Sequence, residues 1–188
     1  MKPDFKILVI GGSAGSLAKV LRLLPHFTEE LNITVVIVFH RKEAEDSSLI
    51  NILSHKSAYT VKDVEDKDPI VKHHIYIAPP DYHLLLEKDL TFSLDISEKV
   101  QFSRPSIDVT FESAADAFGE SVFGLLLSGA NADGVNGLRT IKNNGGKIIV
   151  QDPKSAEVPY MPQQAVDRLE IDLLLTEFNT ADLLQDLL

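Results

Sequence analysis

The sequence predicts an α/β fold: a mainly parallel, doubly wound sheet in three layers, with helices on both faces and a short antiparallel section. Three observations predict it. Residues 5–10, 33–39 and 122–127 are apolar runs rich in branched residues and bounded by glycine or polar residues, the pattern of parallel strands buried on both faces. Between the first two runs, Leu17, Val20, Leu21 and Leu24 recur at i, i+3, i+4 and i+7, the stripe of a helix lying on a sheet. The chain has 188 residues, 44% of them hydrophobic. A chain of that size buries about 70% of its unfolded surface, so residues 1–188 are read as a single domain.

Taken in order, the first strand runs into Gly11 and Gly12, Pro25 punctuates the end of the helix, and strand 33–39 completes a strand–helix–strand crossover. A weaker helical signal at 49–53 precedes short strand-like pieces at 59–61, 74–77, 82–86 and 90–94, read together as the irregular or antiparallel section. After Pro105, Ile107, Phe111, Ala114, Ala115 and Phe118 keep helical spacing, with Ser106 as N-cap and Gly119 as the stop. Strand 122–127 leads through residues 129–137 into a helix that turns Leu138 and Ile141 inward and ends at Asn144-Gly145-Gly146. A fourth apolar run, 147–150, reads as another strand. The last helix, opened by Asn179 or Thr180, stacks Leu183, Leu184, Leu187 and Leu188.

Composition narrows the function. Eighteen Lys and Arg against 28 Asp and Glu give a net charge of −10, which argues against nucleic acid or anionic lipid as a partner. The absence of cysteine excludes a disulfide framework, thiolate metal sites and a cysteine nucleophile. No apolar run approaches the roughly 18 residues of a membrane span, and Met1-Lys2-Pro3-Asp4-Phe5 lacks the apolar core of a signal peptide. A cytoplasmic, soluble protein without direct membrane insertion is expected.

In open α/β sheets ligands bind beyond the carboxyl ends of the strands, so the three strand exits carry the functional argument. The first is Gly11-Gly12-Ser13-Ala14-Gly15, where small neighbours permit a tight strand-to-helix turn that pushes the Ser13 hydroxyl outward, close to a helix N-terminus. The second strand ends at His40. The third runs through Ser128-Gly129-Ala130-Asn131-Ala132 to Asp133, a carboxylate at the start of the next helix. If the strands are neighbours, Ser13, His40 and Asp133 converge at one sheet edge. A serine hydroxyl needs a base within about 2.6–3.2 Å and a third group that fixes the base's tautomer, the roles that His40 and Asp133 suit.

Each residue also has a plain structural account. The glycine-rich turn needs no chemistry if Ser13 or Ser16 simply caps the helix, His40 can be a polar strand end, and Asp133 a helix-start acid. A dinucleotide cradle is disfavoured because Ser13 and Ser16 stand where its second and third glycines belong, and His40-Arg41 replaces the ribose-binding acid. No Gly-Lys-Ser or Gly-Lys-Thr completes a Walker loop. Adjacent His73 and His74 would face opposite sides of a strand, so no metal or other cofactor is expected. His83 reads equally well as a polar support for the site or as a surface residue, and Arg104 as a helix-entry residue.

Six ordered motifs span nearly the whole chain: Gly11-Gly12-Ser13-Ala14-Gly15, the strand ending at His40, Ala78-Pro79-Pro80-Asp81-Tyr82-His83-Leu84, Arg104-Pro105-Ser106-Ile107-Asp108, Gly129-Ala130-Asn131-Ala132-Asp133-Gly134, and Met161-Pro162. Together they resemble the catalytic domain of CheB-type chemotaxis receptor protein-glutamate methylesterases. The resemblance implies Ser13 as nucleophile, His40 as general base and acid, and Asp133 as the residue that orients it. It also implies oxyanion and substrate contacts near Ala14, Ala130, Asn131 and Met161. The expected activity is hydrolysis of γ-glutamyl methyl esters on the cytoplasmic helices of methyl-accepting chemotaxis receptors, releasing methanol, with deamidation of receptor glutamines in some members. Usual members carry an N-terminal receiver domain in a phosphorelay, whereas this chain begins at the catalytic sheet. Phosphorylation control is therefore expected only from a separate regulatory protein. Ser16 and Gln163 depart from the usual Gly and Arg and bear on substrate choice. The rival reading is a non-catalytic signalling module that keeps the fold and binds receptor.

Overall fold

The structure is a computed structural model and describes residues 3–40 and 46–188; Arg41, named above beside His40 in place of a ribose-binding acid, lies outside them. In chain order the elements are β1 (Lys6–Gly12), α1 (Leu17–Leu23), β2 (Ile33–Phe39), α2 (Asp46–Ser54), β3 (Thr60–Asp63), β4 (His74–Ile77), β5 (His83–Leu86) and β6 (Phe92–Asp95). They continue with α3 (Ile107–Phe118), β7 (Val122–Leu126), α4 (Val135–Asn143), β8 (Lys147–Gln151), α5 (Tyr160–Arg168), β9 (Leu173–Leu175) and α6 (Thr180–Leu187). Seven strands form a parallel sheet in the order β3-β4-β2-β1-β7-β8-β9, and β5 and β6 pair as a separate antiparallel hairpin.

The apolar runs lack alternation because both sheet faces are covered. Along β1, Ile7 and Val9 pack on one side and Leu8 and Ile10 on the other; along β2, Val36 and Val38 oppose Val35 and Ile37. One face receives α3, α4, α5 and the β5–β6 hairpin through Phe111, Leu138, Met161 and Leu84. The other receives α1, α2 and α6 through Val20, Leu53 and Leu183. The expected three-layer architecture is thus present.

Several element-level expectations need correction. β3 and β4 belong to the parallel sheet and not to an antiparallel section, because β4 buries Ile75 and Ile77 on one face and Tyr76 on the other beside β2. On α1 the buried stripe is Lys19, Val20 and Leu23, continued by Leu24 in a 3₁₀ turn, while Leu17 and Leu21 stay half-buried. Lys19 can sit inside because its Nζ donates to the Thr176 carbonyl at 2.7 Å. On α6, Leu183 and Leu187 are buried but Leu188 is exposed. Helix α5 and strand β9 had no counterpart in the sequence reading. Among the described residues, no helix is long and apolar enough to cross a membrane.

Candidate active site

The sheet order places β1 between β2 and β7, so the three strand exits are adjacent. Their ends are also level: Gly12 pairs with Phe39, and Gly11 with Leu126. The ladder runs on past the strands through His40 N–H to the Gly12 carbonyl at 3.3 Å and Ser13 N–H to the Ser128 carbonyl at 2.9 Å. Ser13 and His40 consequently open onto one cavity of about 390 Å³, walled by Ala14, Phe39, Leu49 and Ile52. Among the described residues, Ser13 Oγ forms no hydrogen bond, and resting catalytic geometry is often looser than the reacting complex.

His40 Nε2 lies 2.7 Å from Asp133 Oδ2. Asp133 is fully buried and accepts three further bonds: from Ile107 N–H at 2.7 Å, Asp108 N–H at 2.9 Å and Ser106 Oγ–H at 2.9 Å. Burial alone would raise its pKa, but the bonds from His40 and from the Asp108 and Ile107 amides outweigh that and hold the carboxyl below its ordinary value. The carboxylate therefore sits at the N-terminus of α3, where the helix dipole also favours negative charge. Ser106 is the N-cap by position, yet its hydroxyl serves Asp133 and makes no cap bond of its own.

Asp108 returns the arrangement. From the first turn of α3 its Oδ1 accepts the Gly134 and Gly137 amides at the start of α4, at 2.9 and 2.8 Å, and its Oδ2 accepts Gln101 Nε2–H at 2.8 Å. Burial and the nearby Asp133 charge raise its pKa, opposed by those three bonds. The surface alternative for His83 is overturned: it is buried, with Nδ1 accepting Ser106 N–H at 3.2 Å and Nε2 donating to the Glu98 carbonyl at 2.9 Å. Ser128 joins three loops, donating from Oγ to the Ala14 carbonyl at 2.7 Å and accepting the Val158 amide at 2.9 Å. Arg104 donates to the carbonyls of Ile96 and Ser97, tying down the loop that enters α3.

Ala130 is exposed and Asn131 half-buried on the loop before Asp133, and neither backbone N–H donates to a described residue. Asn131 Oδ1 accepts Asp133 N–H at 3.1 Å, which fixes that loop. Met161 is fully buried. A Cβ on Gly129 would lie 2.4 Å from Met161 Cε and 3.2 Å from Ser13 Cβ, so Met161 packs behind the loop and supports it. Ser16 is buried with its hydroxyl on the Ser13 carbonyl at 2.6 Å; Gln163 is exposed and bonds Asp167 along α5. No grouping of three or more metal-ligating side chains occurs among the described residues, and His73 and His74 bond backbone carbonyls.

Ser106, Asp108 and Ser128 stand inside the motifs read from sequence, but the reading gave them no partner in the site. Their sequence signals, a helix-start serine, a first-turn acid and a loop serine, say nothing about which other element they reach.

Comparison with known proteins agrees with this architecture. A family model described as CheB methylesterase matches residues 8–183. A Leptospira interrogans protein named for protein-glutamate methylesterase and protein-glutamine glutaminase activity is 42% identical over 180 residues, covering 96% of this chain and 93% of its own. Protein-glutamate methylesterase/protein-glutamine glutaminases from Methanosarcina mazei and Thermotoga maritima are 34% and 30% identical over 94% and 97% of this chain, which spans 50% and 54% of their lengths. The crystal structure of the Thermotoga maritima CheB methylesterase catalytic domain superposes with a TM-score of 0.91 at 30% identity, over 99% of this chain and 100% of that one. The chain belongs to the CheB methylesterase family.

Proposed function

We propose that this protein is a serine hydrolase that removes methyl groups from γ-glutamyl methyl esters of chemotaxis receptors, with Ser13, His40 and Asp133 as its triad. The observation that carries the reading is the 2.7 Å contact between His40 and a buried, four-times hydrogen-bonded Asp133, beside a cavity that Ser13 and His40 share.

An ionised carboxylate only accepts hydrogen bonds, so His40 Nε2 carries the proton toward Asp133 and Nδ1 is left as the basic nitrogen. The nitrogens are thus used in the reverse of the familiar serine-protease order. His40 Nδ1 takes the Ser13 proton as Oγ attacks the ester carbonyl. The tetrahedral oxyanion is met by backbone N–H groups, for which Ala14, Ala130 and Asn131 are the candidates. The protonated His40 then gives its proton to the departing methoxide, which leaves as methanol, and water activated by the same nitrogen releases the glutamate. A glutamine side chain passes through the same acyl-enzyme with ammonia as leaving group, in keeping with the glutaminase names of the relatives. On this reading the enzyme works in the cytoplasm on receptor helices.

The test is trapping with a serine-directed phosphonate, read by intact mass, alongside methanol release from a methylated receptor fragment. A stoichiometric adduct on Ser13 is expected in the native protein. Ser13→Ala should lose both adduct and methanol release while remaining folded, and His40→Ala should lose the adduct. A folded protein that takes no adduct and releases no methanol supports the binding module instead.

A further inference from the structure

We propose that Phe102 is a docking anchor for the substrate polypeptide, its ring packing on the apolar strip of a helical segment whose glutamyl ester enters the cavity at Ser13. The proposal rests on the esterase reading and adds to it the surface that distinguishes a protein substrate from a small ester.

Among the described residues, the exposed aromatic rings are Tyr82, Phe102, Tyr160 and Phe178. Tyr82, Tyr160 and Phe178 follow the carboxyl ends of β4, β8 and β9, the side of the sheet on which Ser13 lies, and Phe102 precedes α3, whose N-terminus holds Asp133. Phe102 is the most exposed, at 98%. Exposed aromatic rings are frequent anchors at protein interfaces.

The backbone under Phe102 argues that its display is specified. Val100 and Ser103 exchange both N–H···O bonds, at 3.1 and 3.0 Å, closing a two-residue turn over Gln101 and Phe102. Both central residues have positive φ, 47° and 65°, which makes a type I′ turn. Such turns favour Asn-Gly because bulky side chains are disfavoured in the left-handed region. Here a glutamine and a phenylalanine take those places. Strained conformations persist where the surroundings over-determine them, and they cluster at functional sites. The surroundings do so here: Gln101 donates to Asp108, and Arg104 grips the carbonyls of Ile96 and Ser97.

The turn is also tied to the chemistry. Phe102 stands four residues before Ser106, whose hydroxyl touches Asp133, so the two Cα atoms are at most about 14 Å apart. That is between two and three turns of an α-helix at about 5.4 Å each. Asp133 in turn lies 2.7 Å from His40, so Ser106, Asp133 and His40 form a continuous path from the turn toward Ser13, along which a helical substrate would lie. A helix-in-groove contact uses apolar anchors at this spacing.

The experiment replaces Phe102 by glycine, the residue the turn prefers, so the fold should keep or gain thermal stability. The kcat/KM for p-nitrophenyl acetate should stay within twofold of the native protein. The kcat/KM for a methylated helical chemotaxis-receptor fragment should fall at least tenfold, mainly through KM, and Phe102→Tyr should restore most of it. An unchanged KM for the fragment overturns the proposal, and so does an equal loss on both substrates, which would make the turn a support for Asp133. If the native protein hydrolyses neither substrate, the esterase reading fails by itself. Binding of the fragment to Ser13→Ala protein with and without Phe102→Gly then still decides the docking: about tenfold weaker binding supports it and equal binding overturns it.

Discussion

Asp133 couples the proposed chemistry to the stability of the fold. Oδ2, which holds His40, also accepts Ile107 N–H, and Oδ1 accepts Asp108 N–H and Ser106 Oγ–H, so replacing either oxygen with an amide nitrogen sets donor against donor. Asp133→Asn should cost about 2–4 kcal/mol of stability through charged hydrogen bonds lost. By favouring the wrong imidazole tautomer it should also lower ester hydrolysis by about 10⁴-fold, as in a comparable triad. The sign of the pH effect follows from the depressed carboxyl. Its folded value lies below the unfolded value of about 3.9, so its contribution is present in full above that pH and disappears as pH falls through the folded value. Asp108 acts in the opposite sense, since its raised carboxyl makes the folded state weaker as pH rises through its folded value. Urea denaturation between pH 2 and 6 should therefore show a loss below about pH 3.9 in the native protein that is diminished in Asp133→Asn. An unaltered acid limb in the variant would mean that other carboxylates govern it.

The pairing of α3 with α4 is the element-level counterpart. Each helix start is held by an acid from the other, Asp133 on α3 and Asp108 on α4, and this exchange requires the two backbones to approach closely. Gly137 permits the approach, because a Cβ there would lie 2.4 Å from Phe111 Cβ and 3.1 Å from the Asp108 carbonyl oxygen. Gly137→Ala should destabilise by about 1–3 kcal/mol as an overpacked contact. It should also slow hydrolysis with little change in KM, because Asp133 moves with the helices; a stability loss without a rate effect would separate the two. None of this exchange was legible in sequence, where an acid near a helix start reads as serving its own helix. What was legible had a strong local signal. The branched apolar runs of β1, β2 and β7 carry the buried sheet, and the three exits from them carry Ser13, His40 and Asp133. The β4 run is only four residues long, and length concealed that it is buried on both faces. Helix α5 hid because it buries only Met161, Pro162 and Ala165, too few to print a stripe, and β9 because it is a three-residue edge strand.

At the scale of the whole molecule, charge sets how enzyme and product part. The chain carries −10, and each proposed turnover converts a neutral ester into a carboxylate, so the product helix becomes more negative as the reaction advances. Like charges repel across a screening length of about 30 Å at 0.01 M salt but only about 8 Å at 0.15 M. Repulsion that grows with each demethylation favours release of finished product, and the same field slows encounter with any acidic receptor helix. Gln163 on α5 adds no positive charge to offset it. Raising salt from 10 to 150 mM should accordingly increase kcat/KM on the receptor fragment several-fold and strengthen inhibition by demethylated fragment. Hydrolysis of p-nitrophenyl acetate, which is uncharged, should stay flat over the same range. A fall of receptor activity with salt would instead require a local basic contact to steer the substrate, and would shift attention to Arg104 and Lys99 on the loop that carries Phe102.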